Sequence, residues 1–222
     1  MNISDKEAVI SSNNLTIAEK AKQAYDAGCE NGRAERDLLI YHNSSVSYGK
    51  AEFPEPCDVV VHLKRCGGIA FRDAKNLRSI KVIVDEPFGM NGAHAMRDSS
   101  VEIIDFTECP IKLNDCIYTF YYSKQLKSIL GELDFSNVSA TTGGFSGCTA
   151  LEDISFVSGS IKVSIDFGSS NKLTEASRTS IINGLADLTG GTAQSLTFHS
   201  TILSQVTDEQ YALIISKNWN LR

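Results

Sequence analysis

A stretch that repeats itself restricts the fold more than any other feature of the chain. Phe71-x2-Ala74-x2-Leu77-x2-Ile80-x-Val82 matches Phe145-x2-Cys148-x2-Leu151-x2-Ile154-x-Phe156 slot for slot. The distance between Phe71 and Phe145 divides into steps of 24, 25 and 25 if Ala95 and Phe120 open the two intervening copies. Ala95 then leads to Val101, Ile104 and Phe106, and Phe120 leads to Leu126 and Ile129 with an insertion before Leu133 and Phe135. A unit this short cannot bury its own apolar slots, so neighbouring copies must stack to make a core. The expected columns are Ile80, Ile104, Leu133 and Ile154 in one and Val82, Phe106, Phe135 and Phe156 in a second, about 4.8 Å from rung to rung. Ile165-Asp166-Phe167 and Leu196-Thr197-Phe198 repeat the triplet shape and extend the stack.

Strand side chains alternate, so the middle residue of each triplet points away from the core. This predicts an exposed column of Lys81, Asp105, Asp134, Ser155, Asp166 and Thr197 with an acidic middle. It reads either as an ordinary solvated sheet face or as a binding surface for a cationic or hydroxyl-rich ligand.

The flanks divide the chain into residues 1–50, 51–172 and 173–222. In the first, Thr16 and Glu19 suit a capping box, and Ile17, Ala21, Ala24 and Gly28 form a narrow seam of small residues. That seam fits either a surface helix on its own domain or a helix that assembles with copies of itself or a larger complex. Pro54-Glu55-Pro56 closes a polar linker. In the last segment, Thr174 caps a helix with Ile181, Ile182, Leu185 and Leu188 on one face. A second helix from Thr207 is expected to bury Tyr211, Leu213, Ile214 and Ile215, completing a helical cap over the open strand edge.

Composition narrows the function. Subtracting 27 acids from 21 bases leaves −6, and no cluster of Lys or Arg offers the basic face a phosphate backbone needs, so nucleic acid is not an expected partner. No apolar run nears the ~18 residues of a membrane span. As the sequence stands, its start shows no secretory pattern, which implies folding in the cytosol. The six cysteines form no Cys-x-x-Cys pair and read as reduced and buried. His42, His62, His94 and His199 are scattered, and 89–94 lacks the Gly-Lys-Ser/Thr of a phosphate loop. No nucleophile, base and orienter group together. The expectation is a protein with no catalytic residues, no metal and no cofactor.

The Leu-x-x-Ile-x-Val and Leu-x-x-Ile-x-Phe cores at this period are the signature of leucine-rich repeats, whose fold is an α/β solenoid of short parallel strands. The unit Phe-Ser-Gly-Cys-Thr-Ala-Leu-Glu-Asp-Ile at 145–154 resembles the BspA-like group of these repeats. The segment from Leu173 through Trp219-Asn220-Leu221 is similar to the carboxyl ends of repeat proteins encoded by bacteriophages and prophages of Gram-positive hosts, and Ala24-Tyr25-Asp26-Ala27-Gly28 resembles a helix found at their start. The resemblance implies a non-enzymatic phage structural or accessory protein of tail, baseplate or capsid. Such a protein is assembled in the host cytoplasm, resides in the virion, and binds other virion proteins or a host-surface component, with self-association through the amino-terminal helix. The alternative it implies is a BspA-type adhesin on the bacterial cell surface.

Overall fold

The computed structural model describes residues 8–10, 37–42, 45–47, 52–65, 68–86, 89–109 and 111–222. Its strands are β1 (Ala8–Ile10), β2 (Asp37–His42), β3 (Ser45–Ser47), β4 (Glu52–Arg65), β5 (Gly68–Ala70), β6 (Lys75–Glu86), β7 (Gly89–Asn91), β8 (Ile103–Asp105), β9 (Ile111–Asp115), β10 (Ser128–Asp134), β11 (Asp153–Phe156), β12 (Ile165–Phe167), β13 (Gln194–Phe198) and β14 (Trp219–Leu221). The helices are α1 (Glu175–Gly184), α2 (Ser200–Leu203) and α3 (Asp208–Ser216). A nine-stranded sheet runs β1-β2-β4-β6-β8-β10-β9-β7 with β11 on β10, a three-stranded sheet runs β12-β13-β14, and β3 pairs with β5. Every pairing among the described residues is parallel. Parallel strands with few helices place the chain in the α/β class.

Strand partners recur at the repeat spacing, with Ile80 beside Ile104 and Ile104 beside Ile129. Backbone bonds between the coils leading into these strands carry the same spacing, and a last, shorter step of 22 residues leads into α1. Glu102 N donates to Arg78 O (2.8 Å), Lys127 N to Glu102 O (2.7 Å), Glu152 N to Lys127 O (2.8 Å) and Thr174 N to Glu152 O (3.0 Å). One contiguous core runs through the stack from Val59 to Trp219. Phe120, Phe145 and Phe167 form its spine, stacked at centroid distances of 5.2 and 4.7 Å.

Two registers differ from expectation. Met96, not Ala95, takes the aromatic slot of the second copy, because the turn 96–99 closes through Ser99 N to Met96 O just as 71–74, 120–123 and 145–148 close through the same slots. The repeat is shorter by one residue between Ser99 and Val101, inside the rung, rather than before it. Ile129, not Leu133, occupies the Ile104 column. The insertion lies within β10, where Gly131 at φ +91° lets the strand bulge and shift register between Ser128 and Glu132. Leu133 then pairs with Ile111 on one side and Phe156 on the other. Phe135 meets Phe156 edge to face at 5.0 Å.

The expected boundary at residue 50 is crossed by strand pairing. β2 pairs with β4, and β3 pairs with β5. Ile17, Ala21, Ala24 and Gly28 lie outside the described residues.

At the other end, α1 begins at the expected cap, with Thr174 accepting from Ser177 N, and buries Ile181 and Ile182. It covers the edge of β11 by chemistry as well as packing. Ile154 N donates to Ser177 Oγ (3.0 Å) and Phe156 N to Ser180 Oγ (2.9 Å), so two strand N–H groups end on helix hydroxyls. Lys217 Nζ donates to Leu185 O at 2.8 Å, beside the carboxyl end of α1. The buried Arg178 donates to Gln205 Oε1 (2.9 Å) and Gln210 Oε1 (3.3 Å), tying α1 to the segment before α3 and to α3 itself. The segment 173–222 is not wholly helical, since it also supplies β13 and β14. Nor does α3 bury its apolar residues as expected. Only Ile214 is inside, while Tyr211, Leu213 and Ile215 are 52%, 37% and 46% exposed. Nine residues make barely more than two turns, and a single residue of α3 reaches the core.

Candidate binding surface

The six residues expected in one exposed column are not one column. Lys81 does stand beside Asp105, and Asp166 beside Thr197. The neighbour of Asp105 on β10, however, is Leu130, which is 40% exposed. Asp134 lies beyond the Gly131 bulge beside Lys112, and Ser155 pairs with Glu132. The acidic middle is therefore interrupted by an apolar side chain.

The aspartates also have a local role. Asp105 Oδ1 accepts from Thr107 N (2.8 Å), Asp134 Oδ1 from Ser136 N (2.8 Å) and Asp166 Oδ1 from Gly168 N (2.7 Å). Each carboxylate closes the turn that ends its own strand, the usual use of Asp two residues before a free N–H. Lys81 is held by Glu108, 2.5 Å from Nζ, and this carboxylate raises the Lys81 pKa. On the same strand, Arg78 pairs with Asp58 of the neighbouring β4 and holds its carboxyl below the ordinary value. On the strand face Lys81, Asp105, Asp134 and Asp166 are thus engaged in an ion pair or in turn closures.

The turn face differs. Successive turns stack through Asp73 N to Arg97 O (2.8 Å), Asp98 N to Tyr121 O (2.8 Å) and Tyr122 N to Ser146 O (2.8 Å). This pairing aligns Arg72, Arg97, Tyr121 and Ser146 in one column and Asp73, Asp98, Tyr122 and Gly147 in the next. Every member of the second column has positive φ: +58°, +54°, +57° and +81°. His94, Tyr118 and Gly143 form a third such column, at +56°, +50° and +62°. Glycine suits this backbone, and a bulky aromatic there is an outlier. One turn nonetheless carries tyrosine at both positions.

The rings make a cluster. Tyr118 and Tyr121 meet edge to face at 5.1 Å, Tyr121 and Tyr122 lie 4.5 Å apart, and His94 stacks on Tyr118 at 5.3 Å. Arg97 lies over Tyr121 (5.1 Å) and Tyr118 (5.9 Å), while its Nε reaches Asp98 Oδ2 at 3.1 Å. Lys124 Nζ sits 5.1 Å above the Tyr122 ring. The glycines of the following turn make room: a Cβ on Gly143 would come 2.6 Å from the Tyr118 ring, and one on Gly147 2.9 Å from that of Tyr122. Tyr122 remains 44% exposed.

Sequence reasoning missed this cluster because tyrosine carries no turn signal. Gly143 and Gly147, four apart and 25 residues downstream of Tyr118 and Tyr122, were the available clue.

Among the described residues, the buried cysteines offer no second site. Burial pushes the thiols of Cys109 up to about 11 and of Cys116 and Cys148 up to about 12. Thiols kept protonated are poor nucleophiles. Among the described residues no group of His, Cys, Asp and Glu is arranged to hold a metal ion, and no helix is long and apolar enough to cross a membrane. No protein-family model, curated protein or solved structure matches the chain.

Proposed function

We propose that the chain is a BspA-like leucine-rich-repeat solenoid that acts as a non-enzymatic binding protein, a structural or accessory component of a phage virion that presents its repeat surface to a host-surface component or another virion protein. The observation that carries this reading is the recurrence of equivalent turns and strands at 24 or 25 residues, which holds the buried slots constant while the outward residues vary. Stacked repeats of this kind present extended recognition surfaces. The virion assignment draws on the resemblance of both flanks. Induction of a lysogen carrying the gene, followed by gradient purification of particles and immunodetection of the chain, tests it. Co-migration with particles supports the reading. A chain found only in the soluble lysate, and without affinity for particles or for host envelopes, refutes it.

A further inference from the structure

We propose that the turn face around Arg97, Asp98, Tyr121 and Tyr122 is a site for a neutral saccharide chain lying along the stack. This rests on the reading of the protein as a binding module and specifies its ligand. Strain is the first reason. Tyr118 and Tyr122 hold a left-handed backbone at positions where the next turn uses Gly143 and Gly147, and such outliers concentrate at functional sites. Rigidity is the second. The rings are fixed against one another and against the following turn, so binding immobilises little that is free.

Chemistry and geometry select the ligand. Arg97 and Asp98 stand side by side, one donating and one accepting, which matches neighbouring sugar hydroxyls, and Arg72 with Asp73 repeats the pair one rung away (3.4 Å). The apolar face of a sugar ring stacks on an aromatic ring such as Tyr122, whose cover, Lys124, is an exposed side chain that a ligand can displace. Rungs are spaced by about 4.8 Å, a step close to that of one residue in a linear sugar chain, whereas an extended peptide advances about 3.3 Å per residue and falls out of register. The carboxylates of Asp73 and Asp98 beside the two arginines cancel the positive charge that a polyanion would need.

The full chain is to be titrated with cellohexaose, chitohexaose and mannohexaose, with hexaglutamate and oligo-dT as comparison probes, using saturation-transfer NMR and calorimetry. At least one sugar should bind more tightly than either polyanion. Tyr122→Ala should weaken that binding about tenfold, as truncation of an aromatic anchor does. Tyr122→Phe should stay within about threefold of the parent, and Lys124→Ala should bind as well or better. Tyr122→Gly, which installs the residue of the following turn, replaces the alanine variant if that one misfolds. Absence of sugar binding, tighter binding of hexaglutamate or oligo-dT, or a loss on Lys124→Ala overturns the saccharide site. If sugars fail while the chain still co-migrates with particles, the site is wrong and the binding-module reading stands.

Discussion

The turns at 116–123 and 141–148 are neighbours in the stack with the same backbone. Each closes its last four residues by the same i to i+3 bond, places phenylalanine at the same buried slot (Phe120, Phe145), and carries positive φ at two positions four residues apart. One fills those positions with Tyr118 and Tyr122, the other with Gly143 and Gly147. The buried half of a turn is thus fixed by the stack, and the exposed half can be changed at a cost in backbone strain. A cost of about 1–2 kcal/mol per left-handed residue is tolerable only because the remainder of the rung holds the backbone in place.

The strongest test attacks what the two turns share. Phe120→Ala and Phe145→Ala should each cost about 3–5 kcal/mol, measured by urea denaturation, since both rings are fully buried and stacked on each other. If one is severe and the other mild, the two turns do not have a common scaffold.

A smaller effect separates contact from conformation. Gly143→Ala should lose about 1–3 kcal/mol, because the new Cβ meets both a left-handed backbone and the Tyr118 ring. Gly159→Ala, at φ +68° with nothing within 4 Å of the added carbon, should lose only the conformational part. Equal losses would show that the Tyr118 contact contributes nothing.

Smaller still is the strain itself. Tyr122→Gly and Tyr122→Ala delete the same ring contacts, but only glycine relaxes the backbone, so the glycine variant should be more stable by about 1 kcal/mol. An alanine variant as stable as the glycine one would remove the argument from strain.

The smallest expected change at neutral pH is at Cys148, which donates through Sγ to Phe120 O at 3.0 Å as Ser123 Oγ donates to Met96 O at 2.5 Å. Cys148→Ser should stay within about 1 kcal/mol at pH 7. At alkaline pH the variants should diverge. The folded thiol keeps its proton to about 12 against an ordinary 9.0, so its contribution is intact below 9 and falls as the pH rises from 9 towards 12. Urea midpoints at pH 7 and pH 10 should show a smaller alkaline loss for Cys148→Ser than for the parent.

What could be read from the sequence follows from where the apolar signal is unambiguous. Phe71, Leu77, Ile80, Val82, Phe145, Leu151, Ile154 and Phe156 lie buried, as the two complete copies require. The eroded copies misled because an alanine and a methionine stand next to each other, and either fits a small-to-medium slot until hydrogen bonding assigns it. β10 misled because Leu133-Asp134-Phe135 imitates the Ile-x-Phe triplet, while a glycine two residues earlier moves the register. Thr174 was legible as a cap because capping is local, and the second helix starts where expected, at Thr207, with Gln210 completing a capping box. The exposure of Tyr211, Leu213 and Ile215 was not, because four apolar residues within five positions of a helix cannot all face one way, and the sequence does not say which will.

The second slot of the turns holds Ala74, Ser99, Ser123, Cys148 and Ser170, small and buried throughout. Ser99 Oγ accepts from Val101 N within its own turn, but the side chains of Ser123, Cys148 and Ser170 reach back to the preceding turn, Ser170 Oγ donating to Cys148 O at 3.1 Å. Each of these backward bonds is made only when the following turn arrives, some 22 to 28 residues later in the chain. During synthesis, then, a turn that has closed on itself gains its side-chain bond only from its successor, and assembly of the array has a direction: each new coil locks the one before it.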